Sequence, residues 1–281
     1  MGTPQYRPCP SGGAKTIMQD QKYIEANRQA WNEVAPIHAK HQMQRLLDDL
    51  RTPDVYRLDD VERDFFNSVK VQGKAVVQLC CNNGRELMSV KKLGAGRCVG
   101  VDIAESFIEQ ARQLAQDSGL ACEFVCANVL DLASDYDGTF DIVYITIGAL
   151  CWIPDLRALF EIVNRLLKPG GHLFIYDMHP FLNVFEVDDP EGVLPTVKLS
   201  YFAKGPYPDT HGLDYFGNTD YGASVNYRYS HKLSNVIGGC LQHGLGIEHF
   251  EEYPYDISNI FNHFEKLPIQ LPLCYTLVAT K

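Results

Sequence analysis

Residues Ala75–Asp102 read AVVQLCCNNGRELMSVKKLGAGRCVGVD, and the fold of the whole chain turns on them. Ala75 to Leu79 is a short apolar run of the kind a buried parallel strand presents. The polar turn Cys81-Asn82-Asn83-Gly84 follows, where Gly84 alone takes a positive φ freely or lets a ligand approach the backbone. Arg85 to Leu93 then sets Leu87, Val90 and Leu93 on one helical face. A second apolar strand, Arg97 to Val101, ends on Asp102. Strand, tight turn, helix and acid-tipped strand make a βαβ unit suited to a nucleotide: the helix N-terminus attracts an anionic group, and the carboxylate suits two ribose hydroxyls. The same pattern also serves an α/β unit whose strand-end aspartate binds nothing.

The chain has 281 residues, enough for one large domain or one domain with a small cap. Hydrophobic residues make up 46% and charged residues 21%, the balance of an ordinary globular protein. A net charge of −10 opposes binding to nucleic acid or to an anionic membrane surface. Apolar runs are strand-length, too short to span a bilayer, and the first twenty residues lack a secretory h-region. Nine cysteines without CxxC pairs read as reduced, mostly buried thiols, which points to the cytoplasm and away from a disulfide framework. The nine histidines include neither HExxH nor HxH spacing, so no metal site is expected.

Residues 1–19 read as a mobile tail and 20–70 as a helical preface shaped as a lid. Within the preface, Tyr23 to Leu50 is helical, with Pro36 expected to break or kink it after Ala35. Asp60 to Phe66 adds a short helix. The core, 71–180, continues with a helix from Glu105 to Asp117, stopped by Ser118-Gly119, and a strand from Cys122 to Cys126. A strand from Phe140 to Ile147, a helix from Asp155 to Leu167 and a strand from His172 to Tyr176 complete it. Such alternation gives a parallel sheet wound on both faces, with its ligand outside the carboxyl ends of the strands. Residues 181–231, rich in Pro, Gly, Asp and Tyr, form an insertion capping the substrate. Residues 232–281 return to the core with the helix Leu233 to His243 and two closing antiparallel strands, Gly246–Tyr253 and Leu273–Thr280.

Five segments in order resemble the motifs of class I S-adenosylmethionine (SAM)-dependent methyltransferases: VVQLCCNNGRE, GVDIAESFIEQAR, CANVLDL, FDIVYITIGALCWI and LLKPGGHLFIYD. The resemblance implies an α/β, Rossmann-like seven-stranded sheet with an antiparallel last strand, helices on both faces and an N-terminal helical lid. It implies SAM as cofactor. Asp102, with Ile103 beside it, would take the ribose hydroxyls, Gly84 would lie against the methionine part, and Asn128 and Val129 would face the adenine. The family's acid-x-Gly-x-Gly-x-Gly pattern stands here as Gln78, Cys80, Asn82 and Gly84. Cys80 is small and Asn82 tolerates the left-handed region, so the turn remains feasible.

Methyl transfer from a sulfonium is an in-line displacement, so aligning donor and acceptor in a dry aromatic pocket matters most. A base is needed only where the acceptor loses a proton. His179, just past the fifth strand, is the first candidate for it, with Asp177 as its orienting partner. Tyr144, Thr146 and Trp152 flank the fourth strand end, Tyr144 as a further catalytic candidate and Thr146 on the cofactor side. Tyr23, Trp31 and His38 would close over the cofactor from the lid. Trp152, His179, His211, Tyr215, Tyr227 and Tyr229, with His231, are the acceptor-side candidates. The expectation is methylation of a small molecule by a monomer or homodimer, with nucleic acid and membrane excluded as partners. Two other readings stand beside it: a protein of this fold that binds without transferring, and a nicotinamide-dependent oxidoreductase, which the missing GxGxxG disfavours.

Overall fold

The computed structural model describes residues 14–185, 195–203, 205–217 and 219–281, with side chains from residue 20 onward. Most of the expected tail, residues 1–13, lies outside these, and the chain is already helical at Ala14. Helix α1 runs Ala14–Arg51 and α2 Asp60–Ser68; then come β1 (Val76–Leu79), α3 (Arg85–Lys92), β2 (Cys98–Asp102), α4 (Glu105–Ser118) and β3 (Glu123–Cys126). Strand β4 (Phe140–Thr146), α5 (Leu156–Leu166) and β5 (Leu167–Met178) follow. After a small hairpin, β6 (Tyr207–Asp209) and β7 (Asn226–Arg228), the chain closes with α6 (Leu233–Gln242), β8 (Gly246–Tyr253) and β9 (Cys274–Thr280).

The main sheet has seven strands in the order β3-β2-β1-β4-β5-β9-β8. Strands β1 to β5 pair in parallel, whereas β9 runs antiparallel to both β5 and β8. The strand order reverses between β1 and β4, and the crevice at their carboxyl ends is where such a sheet binds ligands. One face is covered by α5 and α6, whose Leu159, Phe160, Val163, Val236 and Cys240 meet the strands. The other is covered by α2, α3, α4 and the end of α1, through Phe66, Leu87, Ile108 and Leu46. Helix α4 buries Phe107, Ile108, Ala111, Leu114 and Ala115 and stops at left-handed Gly119, as its periodicity and stop signal predict.

Pro36 neither breaks α1 nor ends it: the helix runs through it for 38 residues. Contacts just before the proline hold this stretch of the helix against α4. Asn32 accepts the Ser106 N–H and donates to Glu105, Gln110 donates to the Ala35 carbonyl, and Val34 and Ala35 pack on Ala104 and Phe107. Helix propensity is a weak local term, and burial of this face outweighs the lost backbone bond.

Candidate functional site

The turn after β1 reproduces a glycine-rich loop with only one glycine. Cys80 (φ 56°), Asn82 (φ 52°) and Gly84 (φ 71°) all occupy the left-handed region where the family pattern would put three glycines. Asn82 is held there because its N–H donates to Asp102 Oδ2 at 2.8 Å, while Asp102 Oδ1 accepts the Ala104 N–H at 3.0 Å. Each carboxylate oxygen keeps a second lone pair. Burial pushes the Asp102 pKa up, against these amides, which pull it down. The crowding that favours glycine at position 84 comes from elsewhere: a Cβ there would sit 2.4 Å from the Phe124 ring. Gly84 is therefore the packing point of α3 on the sheet, and it does not line the cleft as the methionine-contact expectation had it.

That cleft, about 1980 Å³, opens over the carboxyl ends of β1, β2 and β4. It exceeds the ~300–1,000 Å³ of an ordinary small-molecule pocket, so it has room for two ligands side by side. Gln78, Cys80, Asn82, Asp102, Ile103, Asn128, Val129 and Thr146 all line it, which brings most of the cofactor-side candidates into one place. Asn128 spends part of its capacity locally, accepting the Leu130 N–H and donating to Asp131. Trp31 of α1 meets Trp152 edge-on at 5.2 Å, so the roof touches the floor through two indoles that both line the cleft. Tyr215, Tyr229 and His211 line it as well.

Several candidates stand elsewhere. His179 does not line this cleft: its Nδ1 accepts the Phe181 N–H at 3.1 Å and its Nε2 lies 2.8 Å from Glu252 on β8. Burial lowers its pKa, against the Glu252 carboxylate, which raises it. Asp177 does not orient it. Its carboxylate accepts the Gly148, Leu150 and Met178 N–H groups and so ties down the loop after β4; burial lifts its pKa to about 6. Tyr144 is fully buried and donates to Glu62, which fastens α2 to the sheet and removes the hydroxyl from any reaction. His38, wholly buried, bonds the Leu213 carbonyl at 3.0 Å, and burial drops its pKa to about 4. Tyr23 packs on Tyr227 with ring centroids 4.5 Å apart, and neither lines the cleft. His231 is fixed on the Ile153 carbonyl at 2.7 Å. In each case a side chain read as catalytic or ligand-contacting joins elements together.

Sequence reading missed the wall made by α2 and α3. Asp59, Glu62, Arg85 and Glu86 line the cleft, and Arg85 is paired to Glu86. A signal was available: Asp59 and Glu62 form a capping box, the D-x-x-E that begins α2. It also missed Arg228 and Asp209, joined at 2.6 Å across the β6–β7 hairpin.

Residues 76–171 match a family model described as a methyltransferase domain. Over these residues the chain is similar to SAM-dependent methyltransferases, and it has their fold. A SAM-dependent methyltransferase from Mesorhizobium loti superposes on the chain with a TM-score of 0.58 at 21% identity, covering 78% of this chain and 96% of that one. In sequence, the methyltransferase phqN of Penicillium fellutanum is 32% identical over 108 residues, 38% of this chain and 32% of its own. A ubiquinone biosynthesis O-methyltransferase of Xanthomonas oryzae is 30% identical over 122 residues, 43% of this chain and 50% of its own. The alignments thus span a third to a half of these curated relatives. The match sets the nicotinamide reading aside. The residues present also fit the methyltransferase cofactor: Gln78 Oε1 is buried on the cleft wall with no partner, an acceptor free for an ammonium, and Asp102 keeps lone pairs for two hydroxyls. Among the described residues no helix is long and apolar enough to cross a membrane.

Proposed function

We propose that this chain transfers a methyl group from SAM to a small organic acceptor held between the sheet and the α1 roof. The observation that carries the reading is the sharing of one cleft by Asp102 and Gln78 with the aromatic pair Trp31 and Trp152. Asp102 and Ile103 would hold the ribose, Gln78 the ammonium, and Asn128 with Val129 the adenine. SAM, when bound, supplies a methyl group on a positively charged sulfur. The chain's own part is to align the acceptor with that methyl, to exclude water and to surround a dispersing charge with ring faces. Orientation alone is worth roughly 7–11 kcal/mol of barrier in well-aligned systems.

An aromatic hydroxyl is the acceptor class that suits this lining best. Trp31, Trp152, Tyr215 and Tyr229 offer flat apolar surface, and O-methylation in ubiquinone biosynthesis is the activity named for the Xanthomonas relative. Isothermal titration with the demethylated product S-adenosylhomocysteine tests the cofactor half, with micromolar binding expected. Mass spectrometry of a phenol library incubated with SAM tests the other half. Absence of binding would end the reading; binding without any methylated product would leave a SAM-binding protein that does not transfer.

A further inference from the structure

The loss of His179 as a base leaves the question of what removes a proton from a hydroxyl acceptor. The β6–β7 hairpin holds an answer. His211 lines the cleft, and its Nδ1 lies 3.0 Å from Asp209 Oδ1, which also accepts the His211 backbone N–H at 2.9 Å. The other oxygen of Asp209 accepts from Arg228 Nη2 at 2.6 Å, and Asn226 Nδ2 donates to the Asp209 carbonyl at 3.2 Å. Asp209, at the end of β6, is thus fixed from the facing strand β7. Burial pushes its pKa up, but the His211 amide and Arg228 outweigh it and keep the group below the usual carboxylate range, hence ionised. A fixed carboxylate at Nδ1 places the ring proton there and leaves Nε2 with a lone pair.

We propose that His211 is the general base of this methyltransferase and that Asp209, clamped by Arg228, is its positioning residue. This rests on the methyl-transfer reading and names its substrate class: an acceptor whose nucleophilic oxygen carries a proton. Nε2 takes that proton as an oxygen lone pair forms the bond to the methyl carbon. The carbon–sulfur bond breaks in the same step and its electron pair returns to sulfur, leaving a neutral thioether. The imidazolium then releases its proton to solvent, to which the His211 side chain is 83% exposed. Other ionisable groups near the dyad are Tyr221, whose ring lies over Gly212, Asp214 and Asp220 on the cleft wall, and Glu33 of α1 beside Tyr221. Among the described residues none of these bonds to Nε2.

The test uses the full chain, SAM and catechol as the hydroxyl probe, with S-adenosylhomocysteine release as readout. His211→Ala should lower kcat by roughly 10²–10⁴-fold, leave S-adenosylhomocysteine affinity unchanged, and regain part of its rate with added imidazole. Asp209→Asn should lower kcat more than it changes KM and shift the acid limb of the pH–rate profile. Independently of any acceptor, long-range ¹H–¹⁵N spectra should find His211 as the Nδ1–H tautomer in the parent and a mixture in Asp209→Asn. Full activity of His211→Ala on catechol, or an Nε2–H tautomer indifferent to Asp209→Asn, would overturn the proposal. If catechol is not turned over, the tautomer decides; if S-adenosylhomocysteine does not bind, the cofactor reading has failed instead.

Discussion

The loop between β1 and α3 and the cap made by α1 with residues 207–230 face each other across the cleft, and different bonds hold them. The loop is short, and its partners are near in sequence or on the next strand: Asn82 on Asp102, Gly84 against Phe124. The cap is held by side chains reaching a distant backbone. Asn27 donates to the Tyr227 carbonyl and accepts its N–H, Glu33 accepts the Ser224 N–H and hydroxyl, and His38 bonds the Leu213 carbonyl. One wall is part of the core; in the other, residues 207–230 are fastened to α1 by three polar clasps. A segment held in this way can open from α1 without unfolding the sheet, because polar bonds rather than core packing hold it there.

Five substitutions would break or sharpen that contrast. Removing the carboxylate in Asp102→Ala has the largest expected effect. Losing one charge-assisted bond at roughly 1.5–3 kcal/mol weakens S-adenosylhomocysteine binding about 10- to 150-fold by calorimetry. Unaltered affinity would mean that the loop is not the cofactor wall. Gly84→Ala comes next. Its Cβ must displace the Phe124 ring while the backbone stays left-handed, so stability should fall by about 1–3 kcal/mol in denaturant melts. Phe124→Leu in the same chain should return part of it. Asn27→Ala acts on the other wall. Its two lost bonds should raise proteolysis and hydrogen exchange between residues 207 and 230 while the global midpoint barely moves; a large midpoint shift would show the cap to be part of the cooperative core.

The smallest effect is a slope. Burial lifts Glu62, the buried acid under the α2 wall, from 4.5 to about 8. The folded state therefore binds a proton that the unfolded chain has released, and stability falls as pH rises from about 4.5 to 8. Below pH 6.5 the neutral buried His38, pushed down to about 4, pulls the opposite way. The window from pH 6.5 to 8 is therefore the one to measure, and Glu62→Gln should flatten it.

Much of the sheet was legible because its signals are local. Apolar runs of four to seven residues, the Gly119 stop, and the order of strands and helices follow from periodicity and turn chemistry. Part of the cleft lining came with them, since Asp102, Asn128 and Thr146 sit at strand ends and strand ends share one edge of a parallel sheet. The reactive side chains were not legible. His179 and His211 look alike in sequence, each near an aspartate and a turn. Only the fold decides that one is spent on Phe181 and Glu252 while the other faces the cleft with Asp209 behind it. Pro36 makes the same point for the backbone, where packing on α4 keeps a helix that its own residues would end.

What this sequence determined alone was the alternation of elements and which strand ends would gather, because both depend on spacing along the chain. What the tertiary structure decided was which buried polar groups already have partners. A side chain's freedom to react depends on neighbours distant in sequence, as Glu252 is from His179 and Leu213 from His38, and no local pattern records them.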